Sequence, residues 1–170
     1  MRIVVSGCSG GGKSTLLAEM AARGWACFEE PGRRVVAEGL TPWQDIAGFC
    51  ARCVTLAVQD FHAARPGVSL FDRSFLDALI WFEQAGRPVP DAVAKAVEGL
   101  RYDEVVFLAP PWPEIYVQDE ARQHDLQAAL AEFDALCQRL PKHGYRVEIL
   151  PKLPLSERAD WLEARLKEMT

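Results

Sequence analysis

The sequence lacks an apolar run of about twenty residues, the length that a membrane-spanning helix needs. It also lacks an excess of positive charge: 19 Lys and Arg against 24 Asp and Glu give a formal net charge of -5, which argues against a surface built for general nucleic-acid binding. After Met1 the chain enters an apolar run at residues 3–5 with no signal-peptide pattern. We therefore expect a cytoplasmic protein without a membrane span.

Paired cysteine spacings are almost absent too. The five cysteines are odd in number, and the single Cys50-x-x-Cys53 lacks the second pair that a structural zinc site requires. We expect reduced thiols that behave as small hydrophobic side chains, with no metal or redox role at Cys50 and Cys53.

What the sequence does contain is a regular alternation of short apolar runs and helix-patterned stretches. With 170 residues it has the size of a single domain, 1–170. Continuous apolar runs are typical of strands covered on both faces, so the order of elements predicts an α/β fold with a parallel sheet. The predicted strands cover 3–6, 25–29, 68–71, 104–108 and 145–150. The predicted helices cover 13–23, 33–39, 43–64, 74–85, 91–100, 120–140 and 155–169.

The first predicted turn matches the phosphate-loop (Walker A) pattern G-x-x-x-x-G-K-[ST], between a predicted strand and a predicted helix. Glycines let successive backbone N–H groups face one anion, and the following helix adds its dipole. Lys13 is expected to reach the β- and γ-phosphates, and the Ser14 hydroxyl to ligate Mg²⁺. The predicted nucleotide-binding residues are Gly7, Cys8, Ser9, Gly10, Gly11, Gly12, Lys13, Ser14 and Thr15.

Cys8 lies inside this loop. The positive potential of a phosphate site predicts a lowered thiol pKa and sensitivity to oxidation.

Further site residues are expected at the carboxyl ends of neighbouring strands, where ligands bind in open α/β sheets. Asp72 directly follows the predicted strand 68–71 and is a candidate Mg²⁺ partner or general base; the alternative is a helix cap. Arg73 is a candidate contact to phosphate or acceptor, unless it lies on a helix surface.

A second acidic group follows the predicted strand 25–29. Glu30 is a candidate acceptor-binding residue or base, and Arg33 or Arg34 contacts phosphate or pairs with Glu30. The alternative is a solvated loop.

The proline-rich stretch 109–113 is predicted to be a loop that leads into a helical lid at about 110–140. Arg122 is the candidate lid arginine that neutralises charge on the transferred group, with Arg101 and Arg139 as weaker candidates. The alternative for Arg122 is an exposed helix. The backbone of 150–152 is a candidate contact to a purine, and the Asn-Lys-x-Asp signature of guanine binding is missing.

Together, Gly7–Ser14, Glu29-Glu30-Pro31, Asp72-Arg73-Ser74 and 111–122 resemble a small P-loop family that carries the AAA label. It groups bacterial predicted ATPases with the ribosylnicotinamide-kinase domain of NadR and a GTP-binding animal trafficking protein. The resemblance covers nearly the whole chain. It implies a three-layer α/β/α kinase-like core with strand order 2-3-1-4-5 instead of a hexameric motor. The two acidic motifs also resemble those of deoxynucleoside and thymidylate kinases, where the acids act as base or magnesium partner.

These features lead to the hypothesis of an ATP- and Mg²⁺-dependent phosphotransferase acting on a small, nucleoside-like hydroxyl acceptor. Its catalytic residues would be Lys13, Asp72, Glu30 and Arg122. The rival is a nucleotide-dependent ATPase or GTPase switch that signals to a protein or lipid partner. The sequence leaves the choice between ATP and GTP, the identity of the acceptor and a homodimeric state open.

Overall fold

A five-stranded parallel sheet forms the centre of the protein, seen in a computed structural model that describes residues 1–115 and 126–170. The strands are β1 (Arg2–Gly7), β2 (Ala26–Phe28), β3 (Ser69–Asp72), β4 (Val105–Ala109) and β5 (Arg146–Ile149). They lie in the order β2-β3-β1-β4-β5, and all four neighbouring pairs are parallel. The predicted fold class and strand order are confirmed.

The helices alternate with the strands. They are α1 (Lys13–Ala22), α2 (Pro31–Ala37), α3 (Ile46–Ala63), α4 (Phe75–Gln84), α5 (Asp91–Gly99), α6 (Leu126–Arg139) and α7 (Leu155–Met169). Short 3₁₀ turns lie at Pro113–Ile115 and Leu140–His143.

Two layers of helices cover the two faces of the sheet. Each layer packs on a different set of strand side chains, because successive residues of a strand point to opposite faces. From β1, Val4 joins one buried cluster, which α3, α4, α5 and α6 cover. Ile3 and Val5 join the other, which α1 and α7 cover. The continuous apolar runs of the sequence are therefore explained by burial on both faces.

The main departure from the predicted elements lies before α3. The predicted helix begins at Trp43, but Trp43 lies in a turn and is 57% exposed. The helix begins at Ile46 because the Asp45 side chain accepts a hydrogen bond from the Gly48 N–H at 3.0 Å and so caps the first turn. No helix within residues 1–115 and 126–170 is long and apolar enough to cross a membrane.

Candidate active site

The phosphate loop leaves β1 at Gly7 and ends where α1 begins at Lys13. Gly7 has φ 118°, and a Cβ at this position would lie 2.3 Å from the Ala109 carbonyl oxygen of the neighbouring strand β4. Only glycine therefore fits the point where the chain turns away from the sheet. Gly12, with φ 74°, stands at the N-terminus of α1.

Lys13 is almost completely buried in the loop that it ends. Its Nζ donates hydrogen bonds to the carbonyl oxygens of Gly7 at 3.0 Å and Cys8 at 2.7 Å. Burial, and next the Arg73 charge, lower the pKa of Lys13. A desolvated ammonium group that is held by these two carbonyl oxygens would interact strongly with a polyphosphate.

Asp72 ends β3 beside the loop, and its Oδ2 accepts a hydrogen bond from the Ser14 hydroxyl at 2.8 Å. Its other oxygen, Oδ1, is buried and has no hydrogen-bond partner among the described residues. Burial raises the pKa of this carboxyl group. A hydroxyl and a carboxylate with a spare oxygen are hard ligands of the kind that Mg²⁺ takes, so Ser14 and Asp72 fit that ion. Asp72 is not the helix cap, because Ser74 caps α4.

Arg73 lies at the centre of a cluster of acidic side chains. Its φ of 65° is a left-handed conformation that non-glycine residues rarely adopt and that concentrates at functional sites. Its Nε lies 3.1 Å from a carboxylate oxygen of Glu30, and its Nη1 contacts Asp77 at 3.2 Å and Glu132 at 2.6 Å. Although burial alone would lower the pKa of Arg73, Glu132, Glu30 and Asp77 raise it well above its ordinary value.

Glu30 reaches the same cluster from the start of α2. Burial alone would raise its pKa, but Arg73, Lys13 and Arg33 outweigh burial and hold the pKa below its ordinary value. Arg33 pairs with Glu30 at 3.1 Å, one of the two roles predicted for it. Arg34 instead pairs with Asp60 of α3 at 2.6 Å, so its guanidinium has a partner other than Glu30.

Like Asp77, Glu132 is a site residue that sequence reasoning missed. Its Oε1 accepts from Arg73, and its Oε2 accepts from the backbone N–H of Ser9 in the phosphate loop at 3.3 Å. It comes from α6, far along the chain from the other acids, and follows no recognisable motif. Packing of α6 against α4 and β1 brings it to the site.

The pKa of the Cys8 thiol differs in direction from the lowered value that was predicted. Burial against the Ala109 carbonyl raises the pKa of this thiol, and this outweighs the effect of the nearby Lys13 charge. The group is fully buried, so the structure gives no support to an easily oxidised thiolate.

A small cavity opens at the mouth of the loop, next to these charged groups. Its lining residues are Ser9, Gly10, Gly12, Lys13, Ser14, Thr15, Glu30, Arg33 and Arg73. Most of the predicted site residues thus surround one space.

A second, more apolar depression lies beside Glu30. It is lined by Phe28, Glu29, Pro31, Ala57, Asp60, Phe71, Asp72, Arg73 and Tyr102. Phe28 and Phe71 are stacked with their ring centroids 4.7 Å apart, and the buried Tyr102 hydroxyl has no hydrogen-bond partner among the described residues. This surface combines aromatic faces with a few polar groups.

Arg122, the predicted lid arginine, lies outside the described residues. The two weaker candidates have other partners. Arg101 donates to the carbonyl oxygens of His143 and Gly144, and Arg139 pairs with Glu83.

Comparison with known proteins identifies the family. The profile of a family described as an AAA domain matches residues 2–158, and the chain belongs to that family. Among curated proteins, no sequence matches the chain.

Solved structures show the fold. A deoxyadenosine kinase from M. mycoides with dCMP and dCDP bound has a TM-score of 0.68 at 14% identity, over 99% of this chain and 100% of that one. The NadR protein in complex with NR has a TM-score of 0.75 at 18% identity, over 96% of this chain and 50% of that one. The protein is a P-loop nucleotide-binding protein with a kinase-like fold.

Proposed function

We propose that the protein is an ATP- and Mg²⁺-dependent kinase that phosphorylates a hydroxyl group of a small, nucleoside-like acceptor. The observation that carries this proposal is the convergence of two strand-end acids on one phosphate loop. Asp72 accepts from Ser14 at 2.8 Å, and Glu30 lies 3.1 Å from Arg73 at the mouth of the same loop.

The two acids have different environments, which suggests different roles. Asp72 is bonded to the phosphate-loop hydroxyl and would hold Mg²⁺ with Ser14. That ion would neutralise charge on the phosphates. Glu30 is ionised at neutral pH because cations lower its pKa, and it lines the space next to the aromatic depression. We assign Glu30 as the base that accepts the proton of the acceptor hydroxyl.

In the transfer step, the acceptor oxygen forms a bond to the γ-phosphorus and its proton passes to Glu30. The bond between the γ-phosphorus and the β–γ bridging oxygen breaks, and that oxygen leaves with the nucleoside diphosphate. Lys13 and Arg73 would stabilise the negative charge on the transferring group. Arg122 remains our proposal for a further arginine at this point.

The aromatic depression supports a flat acceptor. Phe28 is half-buried and stacks on Phe71, which is buried like Tyr102, so a ring of the acceptor would contact Phe28 and the polar side chains of Glu29 and Asp60 that also line the depression. The deoxyadenosine kinase and the NadR protein, whose folds resemble this one, were solved with dATP and with NR respectively. These likenesses support a nucleoside-like acceptor without identifying it.

The test measures transfer of label from γ-labelled ATP with Mg²⁺ to a panel of nucleosides and vitamins, against a control with water alone. Glu30→Gln should lower transfer about 100- to 10,000-fold, the usual contribution of a general base, while nucleotide still binds. Glu38→Gln is the matched control, because Glu38 pairs with Arg52 on the exposed surface of the protein. This control should transfer label at the wild-type rate.

If no acceptor raises label release above the water control, the kinase proposal fails. A nucleotide-dependent change in affinity for a protein or lipid vesicle would then favour the regulatory switch. Equal transfer rates of Glu30→Gln and wild type would refute the role of Glu30 as the base but not the kinase proposal.

A further inference from the structure

Arg158, in the first turns of α7, is a buried charge that has no counter-charge within the part of the chain that the structure describes. Its side chain is 2% exposed. Its Nη1 donates one hydrogen bond, at 2.9 Å, to the carbonyl oxygen of Gly11 in the phosphate loop. The two remaining nitrogens, Nε and Nη2, are buried and have no hydrogen-bond partner among the described residues.

Burial of an unpaired charge lowers the free energy of unfolding. Burial lowers the pKa of Arg158 to about 10, which leaves the guanidinium charged at neutral pH. Within residues 1–115 and 126–170, no carboxylate forms an ion pair with it; the Trp112 ring, 5.6 Å from the guanidinium carbon, gives a weak cation–π contact. An unpaired buried charge destabilises a protein and calls for a functional explanation.

The position of the one hydrogen bond supplies that explanation. Gly11 is buried, and its carbonyl belongs to the same peptide unit as the Gly12 N–H. In a trans peptide the C=O and N–H bonds point in opposite directions, and the structure has no cis peptide bond. Arg158 holds the carbonyl toward the protein interior, so the Gly12 N–H must point to the opposite side, where Gly12 lines the phosphate-side cavity.

Backbone N–H groups of a phosphate loop bind the phosphates of a nucleotide, so the orientation of this peptide unit affects affinity directly. The positive charge behind the loop adds to the effect, because it attracts a polyphosphate through a poorly solvated region. Both contributions require the charged guanidinium at this place.

We propose that Arg158 is a positioning residue for phosphate binding, which orients the Gly11–Gly12 peptide from behind the loop and lends its buried charge to the bound polyphosphate. This inference rests on the nucleotide binding of the proposed function but not on phosphoryl transfer. It assigns part of the binding site to a helix that contributes none of the sequence motifs.

The experiment compares Arg158→Met with wild type by isothermal titration with Mg²⁺–ATP and with inorganic tripolyphosphate, and by urea unfolding in nucleotide-free buffer. We expect both ligands to bind about 10- to 100-fold more weakly, the value of a lost charged hydrogen bond. The urea midpoint should not fall, because removal of the unpaired buried charge offsets the loss of the Gly11 hydrogen bond. Arg158→Lys keeps the positive charge and one donor group, so its affinity for each ligand should lie between those of wild type and Arg158→Met.

Arg165 provides the matched control on the same helix. It donates hydrogen bonds to both carboxylate oxygens of Glu148 on β5, at 3.0 and 2.8 Å, and among the described residues no hydrogen bond joins it to the phosphate loop. Arg165→Met should therefore lower the urea midpoint and leave both affinities unchanged. The two arginines are thus expected to show opposite patterns.

A purely structural role of Arg158 predicts a lower urea midpoint with unchanged affinity, and this result would overturn the inference. Equal affinity of Arg158→Met and wild type, with any midpoint, would overturn it as well. If the wild type binds neither ligand, the inference and the proposed function both fail. The ¹⁵N-labelled Gly12 amide gives an independent readout: its ligand-induced shift should shrink in Arg158→Met and persist in Arg165→Met.

Discussion

Gly7→Ala and Gly67→Ala form a pair that isolates the contribution of close packing at the phosphate loop. The two glycines have nearly the same positive φ, 118° and 113°, a range that side chains with a Cβ rarely adopt. They differ in space: a Cβ on Gly67 meets nothing within 4 Å, whereas one on Gly7 lies 2.3 Å from a backbone oxygen of Ala109. The difference in unfolding free energy between the two variants therefore measures the cost of the Cβ contact at Gly7, because the strain of a positive φ is common to both.

The expected magnitudes follow from these two contributions. Alanine in such a glycine-favoured conformation costs about 2 kcal/mol of unfolding free energy, and both variants should lose this amount. Overpacking against the rigid backbone of β4 should cost Gly7→Ala about 1–3 kcal/mol more. With a urea dependence of about 2 kcal/mol per M, the midpoint should fall by about 1 M for Gly67→Ala and about 2 M for Gly7→Ala.

Urea unfolding followed by circular dichroism measures both midpoints, and titration with Mg²⁺–ATP measures affinity. Relief of the contact has to move the loop or the end of β4, so Gly7→Ala should also lose nucleotide affinity. Gly67→Ala should keep it. Equal midpoints and equal affinities of the two variants would refute the reasoning that Gly7 is required for close approach of two strands.

Two further predictions concern carboxylates of the site. Glu132→Gln should bind ATP about tenfold more tightly in titration, since removal of its negative charge lessens repulsion of the phosphates and weakens its hold on Arg73 and on the Ser9 N–H; equal or weaker binding would contradict this role. Burial raises the pKa of Asp72, so the folded protein holds this proton more tightly than the unfolded chain. The unfolding free energy of the protein should therefore fall as pH rises from the ordinary Asp range through the raised pKa. Mg²⁺-dependent ATP binding should increase over the same interval, because the ionised carboxylate is the form that holds Mg²⁺. In Asp72→Asn, the urea midpoint and the affinity for Mg²⁺–ATP should no longer change over this pH interval. If both still change, Asp72 is not the group that titrates.

Much of the fold could be predicted because its signals are local. Apolar runs mark the strands to within two residues, and the phosphate-loop motif fixes the first turn between β1 and α1. Errors arose where capping competes with hydrophobic pattern: Trp43 looked like the start of α3, but Asp45 caps that helix at Ile46. The Asp before an apolar run was a visible signal for the correct boundary.

The rest of the site could not be predicted because it depends on packing between distant segments. Glu132 and Arg158 lie on helices that carry no motif, and only the three-dimensional arrangement brings them to opposite sides of the loop. Cys8 illustrates a second limit. Its expected thiolate character followed from the charge of the loop, but burial, which the sequence does not reveal, has the larger effect on its pKa.

The charges around the loop predict that Glu132 moves when nucleotide binds. Four carboxylates, Glu30, Asp72, Asp77 and Glu132, face three cations, Lys13, Arg33 and Arg73, so these side chains carry an excess negative charge when all are ionised. A triphosphate adds more, and its binding requires either Mg²⁺ or the withdrawal of a carboxylate. Asp72 is fixed at a strand end and Glu30 at the first residue before α2, whereas Glu132 contacts the loop only through a helical side chain. We therefore expect phosphate oxygens to replace the Glu132 carboxylate on the Ser9 N–H and on Arg73, which would couple the position of α6 to occupation of the loop.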